Sequence, residues 1–281
     1  MSPADVNGDP LFGVRLKLDR ADLHLAALDA EVSAWLAQDP YGLDGEFEPR
    51  PDLGQGPDVG LYHFRFREVV PLPAEWSVVV GDVVHNARGA LDHLTWQLVL
   101  ANGNEPTART QFPICLTPKT FDDEAKTRLL GVSADDRTKI TSAQPFADED
   151  VQGWTPTQIK FEQPLAILKE LSNQDKHRVI IATAAIPRSV IWSPIPTSIR
   201  DLELPQGTDT WPGFGVTITD GALLMSIPAV RTGPDPHLDV GAGVGAEVNL
   251  GVHAPNRSMV ATLTAILDKV RALVSEFPAE S

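Results

Sequence analysis

The sequence predicts an α+β fold: a helical bundle of about four main helices with a small antiparallel β-sheet in the C-terminal half. Three observations carry that prediction. Apolar residues recur every three or four positions over residues 16–38, 75–101, 163–184 and from 256 onward, the spacing of amphipathic helices. Residues 61–70 alternate instead, with Tyr62, Phe64 and Phe66 on one face and His63, Arg65 and Arg67 on the other. Beyond Pro187 the helical spacing gives way to short runs broken by prolines and glycines. The expected layout is therefore a mainly helical region over 1–186 with one amphipathic strand near 61–70, an antiparallel β region over 187–254, and an amphipathic helix over 255–281. That last helix is expected to pack back on the bundle or on a partner chain.

Each element follows from its residues. Leu18, Ala21, Leu25, Leu28, Val32 and Leu36 form the stripe of the first helix. Residues 39–60 are rich in Gly, Pro and acid and read as a loop, with a short strand at 46–48. Pro71 and Pro73 end the alternating strand, and its basic side reads as solvated rather than as a nucleic-acid stripe. The helix over 75–101 carries the stripe Val80, Val84, Ala87, Leu91, Leu94 and Leu98 and ends at Asn102-Gly103. Shorter helices are expected at 119–130 and 134–143, with an acidic, turn-forming stretch over 145–157. A further helix is expected over 163–184, with Pro164 in its first turn. A hairpin over 215–227 turns at Asp220-Gly221, and another strand follows over 246–253. Gly241, Gly243 and Gly245 precede a strand and lack phosphate-loop spacing. Val260, Leu263, Leu267, Val270, Val274 and Phe277 complete the last helix.

Composition narrows the function classes. With 281 residues and 42% hydrophobic content, the chain can bury a sizeable core. No apolar run approaches the roughly 20 residues that span a bilayer, and residues 1–10 lack a basic-then-apolar signal pattern. The expectation is a cytoplasmic protein without a membrane partner. A single cysteine, Cys115, excludes an internal disulfide and any multi-cysteine zinc site. The net charge of −15 repels polyanions at long range, so nucleic-acid binding would require a local basic groove.

The chemistry-bearing residues fall in two clusters. On the helix over 75–101, His85, Arg88 and Asp92 lie on one flank, and Asp82, Asn86 and His93 on the other. Arg88 and Asp92 are spaced for an i,i+4 ion pair, so a structural network locking this helix to its neighbours is one reading. The second cluster, Asn173, Asp175, Lys176, His177 and Arg178, ends the helix over 163–184. If His177 faces His85 or His93, three imidazoles beside Arg88 form a site that exchanges protons near neutral pH and holds an anion. Such a set suits metal-free phosphodiester cleavage, with histidine removing the 2′-hydroxyl proton and arginine stabilising charge on phosphate. On this reading Arg88, His93, His85 and His177 are catalytic, and Asn86, Asp92, Asn173, Asp175, Lys176 and Arg178 bind.

Arg88-Gly-Ala-Leu-Asp-His93 resembles the Arg-x4-6-His motif of HEPN-domain proteins, helical-bundle modules of which many are metal-independent ribonucleases of toxin–antitoxin and phage-defence systems. The resemblance covers one helix. It implies an endoribonuclease acting as a homodimer on RNA without a cofactor, with Arg88 on the phosphate and His93 as the acid–base residue. GDVVHNARGALDHLTWQL together with LKELSNQDKHR looks like a widespread family of actinobacterial and phage proteins, over most of the chain, and implies no particular chemistry. Two departures from the HEPN pattern matter. Gly89 stands where many of these ribonucleases carry a polar residue, and Arg88 and His93 lie about 140° apart around a regular helix.

Two other functions fit the residues. His85, His93 and His177 with Asp92 or Asp175 could ligate a transition metal in a bundle core, although HExxH and paired ExxH motifs are absent. Alternatively the chain is a non-catalytic interaction protein that dimerises through its amphipathic terminal helices.

Overall fold

A computed structural model describes residues 9–38, 40–54, 56–68, 70–175, 183–185, 196–204, 220–240, 247–250 and 258–277. The fold is α+β. The helices are α1 (Phe12–Leu36), α2 (Trp76–Ala101), α3 (Pro118–Arg128), α4 (Ala134–Ser142), α5 (Pro156–Glu162), α6 (Pro164–Asp175) and α7 (Met259–Ser275). The strands are β1 (Tyr41–Pro49), β2 (Val59–Glu68), β3 (Thr183–Ala185), β4 (Pro196–Arg200), β5 (Leu202–Glu203), β6 (Leu223–Arg231), β7 (His237–Val240) and β8 (Glu247–Asn249). No helix is long and apolar enough to cross a membrane among the described residues.

The chain divides into two compact units. The first takes residues 1–31, 74–182 and 252–281; the second takes 32–73 and 183–251. Residues 32–73 thus group with the C-terminal strands instead of with the helical region over 1–186. The reason is strand pairing, since β2 is hydrogen-bonded to β6 across 160 residues of sequence and makes the four-stranded antiparallel order β1-β2-β6-β5. Half of that sheet therefore comes from the N-terminal third.

In the helical unit, α2, α6 and α7 pack on one another. Val80, Val84, Ala87, Leu91 and Leu94 of α2 are fully buried, as the periodicity predicts. Helix α7 turns Leu263, Ile266, Leu267, Val270 and Leu273 inward and packs on α2 and α6. Its start is capped by Ser258, which accepts from the Ala261 N–H. Helix α1 is tied in by an Arg271–Asp22 ion pair and by the Trp76 indole N–H donating to Glu31 at 3.0 Å. Helix α5 starts at the end of the stretch read as turns and runs on through residues 158–162, where no element was expected; its start is a capping box of Thr155 and Gln158.

The expected helix over 163–184 does not reach its far end: α6 is described over Pro164–Asp175, residues 176–182 lie outside the described residues, and Thr183–Ala185 form strand β3, paired with β8, where strand pairing replaces the helical pattern.

In the second unit, Tyr62, Phe64, Met225, Ile227 and Leu238 build the core on one sheet face, with Tyr62 and Phe64 edge to face. The Tyr62 hydroxyl accepts the Leu238 N–H at 3.1 Å. Residues 41–49 form a nine-residue strand, which contains the short strand expected at 46–48 and extends it into the stretch read as loop. Their acidic side chains lie across from the basic side of β2: Asp44 opposes Arg65 and Glu46 opposes His63. Cross-strand charge outweighs the weak strand propensity of Gly42, Gly45 and the acids. Asp220 and Gly221 do form a turn, but β6 runs from it to pair with β2; residues 215–219 lie outside the described residues.

Candidate functional site

Arg88 occupies the flank of α2 that faces residues 110–116, an extended strap whose Phe112, Ile114 and Cys115 are buried. Its Nη2 donates to Asp92 Oδ1 at 2.9 Å and to the Phe112 carbonyl oxygen at 2.6 Å. Asp92 Oδ1 also accepts the Phe112 N–H at 3.0 Å. One i,i+4 pair thereby satisfies both backbone groups of one strap residue. The Arg88 side chain is only 13% exposed, and burial pushes its pKa down while the Asp92 carboxylate opposes that shift. Arg128 and Glu124 of α3 also act on its charge, and pair with each other at 3.3 Å.

The same strap is held from its other side by Gln144, which is buried. Its Oε1 accepts the Cys115 N–H at 2.9 Å, and its Nε2 donates to the carbonyls of Pro113 at 2.9 Å and Ile140 at 3.1 Å. Burial next to Glu124 pushes the Cys115 thiol up to about 11, so it is a protonated core group at neutral pH.

His93 lies on the opposite flank. A side chain on Gly13 of α1 would meet its Nδ1 at 3.3 Å, and the Lys17 ammonium of α1 lies over Gly89. Partial desolvation, then the Lys17 charge, push the His93 pKa below the ordinary histidine value, with Asp92 opposing. Arg88 and His93 thus have different neighbours: the strap for one, α1 for the other.

His85 is exposed one turn before Arg88, and Asn86 is half-buried with its side chain donating to the Asp82 carbonyl at 2.8 Å. Of the second cluster, Asn173 and Asp175 are exposed at the end of α6, while Lys176, His177 and Arg178 lie outside the described residues. The end of α6 comes against α2 here: a Cβ on Gly81 would stand 2.6 Å from Asp175 Oδ1. The expected meeting of His177 with His85 or His93 lies outside the described residues. No group of three or more His, Cys, Asp or Glu is placed to hold a metal ion among the described residues. Among the described residues, a cleft of about 360 Å³ opens between the ends of α2, α4 and α7, and another of about 390 Å³ between α1 and α7. Neither takes a side chain from Arg88, His85 or His93.

No protein-family model, curated protein or solved structure matches the chain.

Two polar arrangements escape sequence reasoning. Gln144 carries no motif, and its role depends on the strap folding back onto α4. The other is in the sheet unit, where His63 is buried instead of solvated. Its Nδ1 lies 2.7 Å from Ser226 Oγ, and its Nε2 lies 2.7 Å from Glu48 Oε2. The order Ser, His, Glu is that of a proton relay, but the three sit on the adjacent strands β6, β2 and β1, and their side chains tie those strands together as a cross-strand clasp.

Proposed function

We propose that this chain is a non-catalytic, homodimeric interaction protein in which Arg88 and Asp92 form an internal brace. The observation that carries the reading is the double engagement of Arg88. A guanidinium whose Nη2 is committed to Asp92 and to a backbone carbonyl, on a side chain only 13% exposed, is poorly placed to meet a phosphate. The high negative net charge supports a partner other than nucleic acid. The test combines light scattering with incubation of the purified protein with RNA in the absence of metal. The expected result is a dimer that leaves RNA intact. A monomer at all concentrations, or cleavage abolished by His93→Ala, overturns the proposal.

A second reading, HEPN-like RNA cleavage or binding of a toxin or phage-defence type, keeps one observation in its favour. His93 is solvent-exposed and held toward its neutral form, the state a general base needs, with the Lys17 cation beside it. In this reading His93 takes the proton. RNA left uncleaved by the parent protein, with no binding in a filter assay at low salt, removes it.

A further inference from the structure

We propose that a second copy of this chain docks on the outward face of α2, about a two-fold axis at Gly89. This rests on the dimeric reading above and assigns it a surface.

The face is defined by burial. Val78, Asp82, His85, His93, Trp96 and Leu100 are the outward residues, and at 100° per residue they fall within about 40° on either side of Gly89. Val78 is 65% exposed, Trp96 43% and Leu100 44%, so three of the ten large hydrophobic residues exposed among the described residues share one narrow stripe. Trp96 and Leu100 stand one turn apart, and Val78 lies at the far end of the same stripe, with Asp82, His85 and His93 between them. On α1, Leu16 and Leu23 are exposed as well.

The spacing commits the face to its own copy. Counted from Gly89, the outward residues stand at four, seven and eleven positions in both directions. Two such helices packed antiparallel, with the axis at Gly89, bring Val78 level with Leu100 of the second copy. Asp82 then comes level with Trp96, and His85 with His93. A two-fold interface requires a surface complementary to itself, and this one is. Apolar ends meet apolar ends, and a carboxylate acceptor meets an indole N–H donor. His93 is biased to its neutral form, which spares the pairing of two charged imidazoles.

Charge points the same way. Two copies each carrying −15 repel, so association needs a face relieved of acid. The stripe carries one carboxylate, Asp82, over its whole length. At its centre Gly89 has no side chain and allows close backbone approach. Lys17, which arches over Gly89, has to move aside, and its four-carbon stem allows that.

Three full-length proteins test the proposal: the parent, Trp96→Asp and Gly89→Cys. Sedimentation should give a dimeric parent, with the dissociation constant raised about thirty-fold or more in Trp96→Asp, the effect of losing an interface aromatic anchor. Circular dichroism of that variant should match the parent, since Trp96 is outside the core. Gly89→Cys should form an intermolecular disulfide under mild oxidant, because a residue on a two-fold axis meets itself; native Cys115 is buried and serves as the internal control. The face is overturned, and the dimeric reading survives, if the parent is dimeric but Trp96→Asp associates as tightly and Gly89→Cys does not cross-link. A parent that is monomeric throughout overturns both.

Discussion

The Asp92 carboxylate accepts the Phe112 N–H at 3.0 Å, while the guanidinium that Asp92 anchors donates to the carbonyl of that same residue. A buried extended segment cannot satisfy its backbone within itself, as a helix does, and this pair supplies what a neighbouring strand would. The relationship explains why α2 carries ionisable groups next to a core. They hold the strap that closes the bundle.

Removing either partner should therefore affect stability before anything else. Arg88→Ala leaves Asp92 and the Phe112 carbonyl uncompensated, and should lower unfolding free energy by about 2–3 kcal/mol, less than the fully buried case because Asp92 is partly exposed. Asp92→Asn, which keeps an acceptor for the Phe112 N–H, should cost less. Urea denaturation of the two variants decides it, and equal or negligible losses would contradict the brace.

Gln144→Leu keeps volume but leaves the Cys115 N–H and the Pro113 carbonyl without their partner. A loss of about 2–4 kcal/mol is expected from two stranded buried groups. Amide exchange at Cys115 should accelerate in step, and an unchanged rate would show that the strap does not depend on Gln144.

The fold favours the uncharged form of His93, so the unfolded chain binds that proton more readily. Its contribution is then complete above the ordinary value of 6.5 and is lost as pH falls through it. A proton NMR titration should place the His93 midpoint below 6.5, and Lys17→Met should move it upward by removing a neighbouring cation. A midpoint at or above 6.5 in the parent would refute this.

With its thiol pushed up to about 11 and its side chain in the core, Cys115 should resist modification. At pH 8 a thiol reagent should label native protein at least about a hundred-fold more slowly than urea-unfolded protein, since the thiolate is the reactive form. Rapid labelling without unfolding would show that the strap opens.

Much of the architecture was legible in the residues. The stripes of α1, α2 and α7 are strong 3.6-residue signals, and each of these helices buries the face its periodicity predicts. Strand β2 was equally clear from Tyr62, Phe64 and Phe66. The i,i+4 pairing of Arg88 and Asp92 could be foreseen, since it depends only on helical geometry. Strand β1 could not, because Gly42, Gly45 and its acidic residues have poor strand propensity and become a strand only against the basic side of β2. Nor could strand β3 at Thr183–Ala185, where the sequence continues a helical pattern and pairing with β8 decides otherwise.

The sequence by itself determined which helices form, which face of each is apolar, and that α2 would carry a row of ionisable groups, because those properties are periodic and local. Only the tertiary structure decided what those groups touch. Arg88 turns to the strap and His93 to α1, since five positions along one helix rotate two side chains onto different neighbours. The grouping of residues 32–73 with the C-terminal strands was likewise settled in space, by the pairing of β2 with β6, for which no local pattern encodes the partner.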